Sequence, residues 1–144
     1  MPDPILSVRG LKTEFRTADY HVQAVDGLSY DLHAGRTLAV VGESGSGKSV
    51  HALSVMGLLP TPPARVTAGE ILYRGRDLLK LPREEMRKLR GDRIAMIFQE
   101  PMTSLNPVLR VGEQIAESYI LHKGADPAAA TARAVDLLRK VGIP

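Results

Sequence analysis

The sequence contains 144 residues, 44% hydrophobic and 24% charged, which is enough for one domain with an apolar core. It has no cysteine, so disulfides and cysteine-ligated metals are excluded. The net charge of +3 comes from scattered Lys and Arg, which argues against a nucleic-acid partner. No apolar run reaches the ~20 residues of a membrane span, and residues 1–10 lack the features of a signal peptide. We therefore expect a cytoplasmic chain, unless a partner holds it at a membrane.

The pattern of apolar and polar residues in the first part of the chain predicts strands on both sides of a loop. Residues 5–15 and 28–32 alternate apolar and polar side chains, as half-buried antiparallel strands do, and the polar residues 16–21 predict the loop between them. Residues 37–41, TLAVV, show no such alternation, which indicates a strand buried on both faces, as in a parallel sheet. A glycine-rich stretch follows, and residues 48–59 then have the apolar spacing of a helix.

The middle of the chain predicts two more strands, at residues 69–73 and 94–98, with a helix at 82–90 between them. The helix has typical ends: Pro82 suits its first position, acidic residues fill its first turn, and Gly91 follows it as a C-cap. The second strand, IAMIF, is wholly apolar and runs into a polar loop.

The last part of the chain predicts two helices, near residues 112–122 and 126–141. Asp126 caps the second helix at its start, and Gly142 ends it. We find no internal repeat, and the four histidines are too scattered to form a ligand cluster.

The stretch GESGSGKS at residues 42–49 fits the pattern G-x-x-x-x-G-K-[ST], between a predicted strand and a predicted helix. The glycines let successive backbone N–H groups point at a phosphate, and the start of the helix adds unpaired N–H groups and a positive dipole end. An accidental match to a flexible glycine turn should occur in well under ~1% of chains of this length. The predicted phosphate-binding residues are Gly42, Glu43, Ser44, Gly45, Ser46, Gly47, Lys48, Ser49 and Val50.

Two side chains at the end of this loop complete the predicted site. Lys48 offers a compact positive charge to the outer phosphates. Ser49 offers a hydroxyl to Mg²⁺, which prefers hard oxygen ligands. The pattern therefore predicts a site for a triphosphate nucleotide with Mg²⁺.

The class of phosphate-loop protein depends on the later stretch IAMIFQEPMTSLNP, residues 94–107. A GTPase would need an Asn-Lys-x-Asp segment and an Asp-x-x-Gly switch, and neither occurs. A small nucleotide kinase, the weaker alternative, does not predict this stretch. Gln99 ends its apolar strand, where the side-chain carbonyl can bind Mg²⁺ or a water and can move with the polar loop that follows.

These residues resemble the ATP-binding subunits of ABC transporters, in the dipeptide and oligopeptide importer branch. The resemblance covers essentially the whole chain and is carried by AVDGLSYDLHAGRTLAVVGESGSGKSV, GEILYRGRDLLKL, RGDRIAMIFQEPMTSLNPVLRVGEQI and LLRKVGIP. Nickel importers share much of this sequence, so the resemblance does not determine the transported cargo. The resemblance implies an α/β fold, namely a P-loop NTPase core of ABC type with an N-terminal antiparallel β-subdomain, in residues 1–100. Residues 101–144 would then begin a helical subdomain.

The same resemblance implies roles for individual residues. Lys48 would contact the β- and γ-phosphates of ATP, Ser49 would bind Mg²⁺, and Gln99 would be the hinge glutamine that senses Mg²⁺ and the γ-phosphate. An aromatic side chain upstream would stack on adenine. Phe15 is our choice, with Tyr20 as the alternative, and simple packing of Phe15 in the β-subdomain is the competing interpretation.

The resemblance also implies partners. Residues 101–122, from Pro101 to His122, would dock on transmembrane permease subunits. A second ATP-binding subunit, identical or different, would complete the nucleotide site. The chain would then be a peripheral protein at the cytoplasmic face of the membrane.

Three motifs of the resembled family do not occur in these residues: the Leu-Ser-Gly-Gly-Gln signature, a strand ending in Asp-Glu, and a switch histidine. We therefore expect an incomplete domain with no catalytic base, and little hydrolysis by these residues alone. The alternative function is a truncated, non-hydrolysing nucleotide-binding module that docks on a permease or a partner subunit. We also expect exposed apolar strand edges, because neighbours of strand 37–41 are expected after residue 144.

Overall fold

The computed structural model of the chain describes residues 3–98 and 104–143. Gln99 and Pro101 lie outside the described residues. The chain divides into two compact units, Met1–Arg87 and Lys88–Pro144. This boundary precedes the predicted one at residue 100, and the two-subdomain assignment stays a prediction because compact units and subdomains need not coincide.

The first unit is built on a four-stranded antiparallel sheet with the order β2-β1-β3-β4. The strands are β1 (Leu6–Arg16), β2 (His21–Leu32), β3 (Ala64–Tyr73) and β4 (Arg76–Asp77). The predicted strands at 5–15, 28–32 and 69–73 are thus confirmed, although β2 and β3 begin earlier than the pattern indicates. Because β1 is paired on both sides, it supplies much of the core of this unit.

A bulge in β1 explains why its sequence alternates only weakly. The fully buried side chains switch from an even position, Val8, to odd positions, Leu11 and Thr13. At the switch, the register of β1 slips against both of its neighbours, and Gly10 takes a φ of 54°. One extra residue reverses the faces of the side chains that follow, so apolar residues on both sides of the bulge reach the same core.

One helix of this unit packs on the sheet and carries the glycine loop at its start. It is α1 (Lys48–Met56), and it contacts β1 and β2. It ends at Gly57, whose φ of 60° provides a left-handed C-cap, and so stops before the predicted end at residue 59. A single 3-10 turn, Leu78–Lys80, and helix α2 (Arg83–Leu89) follow β4, and Gly91 with a φ of 82° comes after α2 as predicted.

The two apolar strands predicted at residues 37–41 and 94–98 are not formed, because neither segment has a strand assignment in the described chain. Val41 is 89% exposed, so the burial predicted for residues 37–41 is wrong. Ile97 of the second segment is 97% exposed. A strand needs a neighbour to pair its backbone N–H and C=O groups. Among the described residues no strand pairs with either segment, apart from one isolated bridge between Arg90 and Ile94.

The second unit contains the two predicted tail helices, α3 (Val111–Lys123) and α4 (Pro127–Lys140). They pack through three buried alanines, Ala116, Ala130 and Ala134, whose small side chains allow a close approach. Asp126 caps α4 as predicted, because its carboxylate accepts hydrogen bonds from the N–H groups of Ala128 and Ala129 at 3.0 Å each. In the described ranges, none of the helices has the length and apolar character needed to cross a bilayer.

Candidate nucleotide-phosphate site

A cleft of about 260 Å³ lies where the glycine loop meets the sheet of the first unit. Residues of β2, residues 40–42 and the start of α1 line it. A larger cavity of about 460 Å³ lies at the start of β1, near Ser7 and Arg74. The predicted phosphate loop lines the smaller cleft, through Gly42, Gly47 and Lys48.

In the described part of the chain, no side chain caps the start of α1 with a hydrogen bond. Its N-cap is Gly47, which has no side chain to accept a hydrogen bond from the first turn, and that turn contains no acidic residue. The first N–H groups of a helix have no acceptor within the helix, and the dipole makes this end positive. The amino end of α1 is therefore suited to an anion such as a phosphate.

Two glycines of the loop take backbone conformations that L side chains rarely adopt. Gly45 has a φ of 81° and Gly47 a φ of 87°. A Cβ added at Gly47 would also overlap the backbone oxygen of Ala24 in β2, far inside van der Waals distance, whereas one added at Gly45 would meet nothing within 4 Å. Gly47 is thus the point at which the loop and the start of α1 rest directly on the sheet.

Lys48 folds back over the loop instead of extending into solvent. Its ammonium nitrogen Nζ donates to the backbone oxygens of Gly42 and Glu43, at 2.6 Å each, and lies 3.3 Å from Ser46 Oγ. This places the positive charge at the mouth of the loop. An anion in the loop would find a cation already positioned beside the bare helix end.

The cleft also contains an acidic residue, Asp26 of β2. Its carboxylate pairs with Lys12 Nζ at 2.8 Å. The pairing reduces the repulsion that Asp26 would exert on a phosphate. The donor groups at the loop therefore fit a polyphosphate without an unpaired carboxylate of β2 opposing it.

A buried histidine at the cleft was not singled out by the sequence. His51 is 8% exposed, and its ring packs edge-on against Tyr30 of β2, with ring centroids 5.7 Å apart. Burial lowers the pKa of His51 and raises the pKa of Tyr30. Within the described part of the chain, His51 Nδ1 has no hydrogen-bond partner. In the sequence, only the position of His51 on the apolar face of the predicted helix indicated that this side chain is buried.

The structure brings together the predicted loop residues, and of the other predicted site residues only Phe15 can be placed relative to them. Ser49 and Val50 lie in the first turn of α1, directly after Lys48. Phe15 lies near the end of β1, opposite Val22 of β2, and is not among the described residues that line the cleft. Gln99 falls outside the described residues. The roles of Phe15 and Gln99 therefore stay predictions.

A family model for ABC transporters matches residues 25–144. The chain belongs to the ABC transporter family. The match begins in β2, includes the glycine loop, and continues through the second unit. The family assignment therefore rests on most of the chain and not on the phosphate-binding pattern alone.

The curated relatives of this ABC transporter chain include peptide-transport proteins of Bacillus subtilis strain 168. The chain is 50% identical to the oligopeptide transport ATP-binding protein OppD over 140 residues, which is 97% of this chain and 39% of OppD. It is also 50% identical to the dipeptide transport ATP-binding protein DppD over 142 residues, 99% of this chain and 42% of DppD. The chain thus spans about two fifths of the length of these relatives.

A solved structure shares the fold of this ABC transporter chain. It is the dimeric ATP-binding cassette MJ0796, in a post-hydrolysis state with ADP and Pi bound. The TM-score is 0.78 at 23% sequence identity, and the match covers 93% of this chain and 56% of that one. The predicted fold class, an ABC-type cassette begun by an antiparallel sheet, is therefore confirmed.

Proposed function

We propose that this chain binds MgATP as part of the energy-coupling subunit of a dipeptide or oligopeptide importer. The observation that carries the proposal is the bare amino end of α1 beside Lys48, in a loop that fits a polyphosphate. The names of OppD and DppD support peptides as the cargo. A nickel importer is the alternative.

The loop residues have distinct roles in this proposal. Lys48 releases the backbone oxygens of Gly42 and Glu43 and turns its ammonium group toward the β- and γ-phosphates. Ser49 and Gln99 would hold Mg²⁺ through side-chain oxygens, and the ion would neutralise phosphate charge. Phe15, or alternatively Tyr20, stacks on the adenine ring, a contact of about 1–3 kcal/mol in nucleic-acid binders.

The proposed partners are a second ATP-binding subunit and the transmembrane permease. Residues 101–122 form the proposed permease-docking region. Leu105, Val108 and Leu109 of this region are 45%, 84% and 51% exposed, which supports an apolar contact. Docking there would hold the protein at the cytoplasmic face of the membrane, and Gln99 would transmit closure of the nucleotide site to this region.

Peptide uptake by the intact transporter in sealed vesicles tests this function. We expect uptake to require ATP. Gln99→Ala should reduce uptake at least about ten-fold, more than it reduces MgATP affinity, because it removes the proposed coupling contact as well as one Mg²⁺ ligand. Lys88→Ala, at an exposed position of α2, is the control.

Normal uptake by the Gln99→Ala transporter would refute the coupling role of that residue. If the unsubstituted protein binds MgATP but neither hydrolyses it nor supports uptake, the non-hydrolysing binding module becomes the better account.

A further inference from the structure

Two hydroxyl groups lie buried between β1 and α1, outside the cleft itself. Thr13 of β1 is 0% exposed and Ser54 of α1 is 3% exposed. Their hydroxyl oxygens are 3.1 Å apart, and Ser54 Oγ donates to the backbone oxygen of Val50 at 2.8 Å. A hydroxyl has one proton to donate, so Thr13 must be the donor to Ser54.

This chain of hydrogen bonds has a defined direction. It runs from β1, through Ser54, to the carbonyl of Val50, which lies in the first turn of α1 next to Ser49. The start of the same turn rests on β2 where Gly47 meets the backbone oxygen of Ala24. The helix is thus held to the sheet at two places, a backbone contact at its start and a buried polar contact at Ser54, about two turns further along.

Thr13, the residue of this link that lies on β1, is two positions before Phe15, the proposed base-binding residue. Side chains at alternate positions of a strand share a face. Thr13 and Phe15 therefore share one face of β1, because the register against β3 is regular here, with Val66 and Ala64 as their respective partners. The register against β2 slips between Thr13 and Glu14.

The hydroxyl pair joins this end of β1 to Ser54, and the bond from Ser54 to Val50 lies within α1. The link therefore positions α1 as one helix against β1, and with it the loop at the start of α1.

We propose that Thr13 and Ser54 are positioning residues that set the spacing between the base-binding end of β1 and the phosphate loop. This role rests on the proposed function, MgATP binding. A ligand that reaches both places benefits from a fixed spacing, because the protein then loses less conformational freedom on binding. A ligand that occupies only the phosphate loop gains nothing from it.

The test compares two ligands on the intact natural protein: MgATP and magnesium tripolyphosphate, which lacks the base and sugar. Thr13→Val keeps the shape of the side chain and removes the donor. We expect it to weaken MgATP binding about five-fold, the ratio that corresponds to one ordinary hydrogen bond. Its affinity for magnesium tripolyphosphate should change by less than about two-fold. Ser54→Ala should give the same pattern, and Thr13→Ser, which keeps the hydroxyl, should restore MgATP binding.

Thr131→Val is the matched control. It also removes a threonine hydroxyl that donates a hydrogen bond, at 2.8 Å to Pro127 O, but on the exposed face of α4. It should leave both affinities unchanged. If Thr13→Val does not fold, Ser54→Ala carries the comparison.

Three results would overturn the proposal in distinguishable ways. Equal losses for both ligands would mean that the pair only stabilises the fold. Unchanged MgATP binding in Thr13→Val and Ser54→Ala would mean that the link has no role in binding. Failure of the unsubstituted protein to bind MgATP at all would refute the proposed function itself.

Discussion

Gly47 lies where a side chain would be unfavourable for two separate reasons. Its φ of 87° is in the left-handed region, and an added Cβ would overlap the backbone oxygen of Ala24. Gly45, with a φ of 81°, has the first problem and not the second. Substitutions at Gly45 and Gly47 can therefore distinguish the cost of backbone strain from the cost of disrupting the contact between the loop and the sheet.

We predict that Gly45→Ala lowers the free energy of unfolding by about 1–2 kcal/mol, the cost of a left-handed L residue. Gly47→Ala should lower it by a further ~1–3 kcal/mol, because the methyl group cannot fit without moving β2 or α1. Urea unfolding of both variants measures the difference. Equal losses would contradict the view that the loop is packed on β2 at Gly47.

At the scale of single residues, the sequence predicted the features that depend on residues close together in the chain. The loop from Gly42 to Ser49 could be found without knowledge of the fold, because the spacing of its residues alone brings the backbone N–H groups and Lys48 to one place. The contacts of Thr13 with Ser54 and of Tyr30 with His51 join distant parts of the chain. Nothing in the local pattern of either partner indicates the other, so the sequence did not predict them.

The side chain of Gln114 in α3 forms hydrogen bonds with the segment that precedes this helix. Gln114 Oε1 accepts from Asn106 N at 2.8 Å, and Gln114 Nε2 donates to Asn106 O at 2.9 Å and to Leu109 O at 3.1 Å. This segment belongs to the proposed permease-docking region. Gln114 therefore holds exposed apolar residues of that region, such as Leu109, in one arrangement on α3.

We predict that Gln114→Ala speeds hydrogen exchange at the Asn106 amide about five-fold, because that amide loses an acceptor worth about 1 kcal/mol. Exchange in α4 should not change. Glu117→Ala, an exposed position one turn further along α3, is the control. Unchanged exchange at Asn106 would show that other contacts hold the segment.

At the scale of elements, the helices were easier to predict than the strands. The tail helices have explicit ends, with Asp126 as an N-cap and Gly142 after the last turn, and the structure confirms them. Residues 37–41 and 94–98 have equally clear apolar patterns, yet the described chain contains no strand in either place. A helix pairs its backbone within its own sequence, whereas a strand depends on a neighbour elsewhere.

At the scale of the whole molecule, two kinds of structure serve the proposed function. The sheet and α1 of the first unit present a bare helix end, a glycine loop and Lys48 to a phosphate. The α3–α4 pair of the second unit carries the region proposed to meet a permease. The chain belongs to the ABC transporter family. In the function proposed here, binding of MgATP is the step on which both tasks depend.

Titration calorimetry of the intact protein with MgATP tests this step most directly, with Lys48→Ala beside the unsubstituted chain. We predict that the unsubstituted protein binds and that Lys48→Ala weakens binding about ten- to a hundred-fold, since charge-assisted hydrogen bonds are worth about 1.5–3 kcal/mol. Lys80→Ala, which removes an exposed lysine paired with Asp77, should bind within about two-fold of the unsubstituted protein. No binding by the unsubstituted protein, or equal effects of the two lysine substitutions, would contradict the assignment of this loop as the phosphate site.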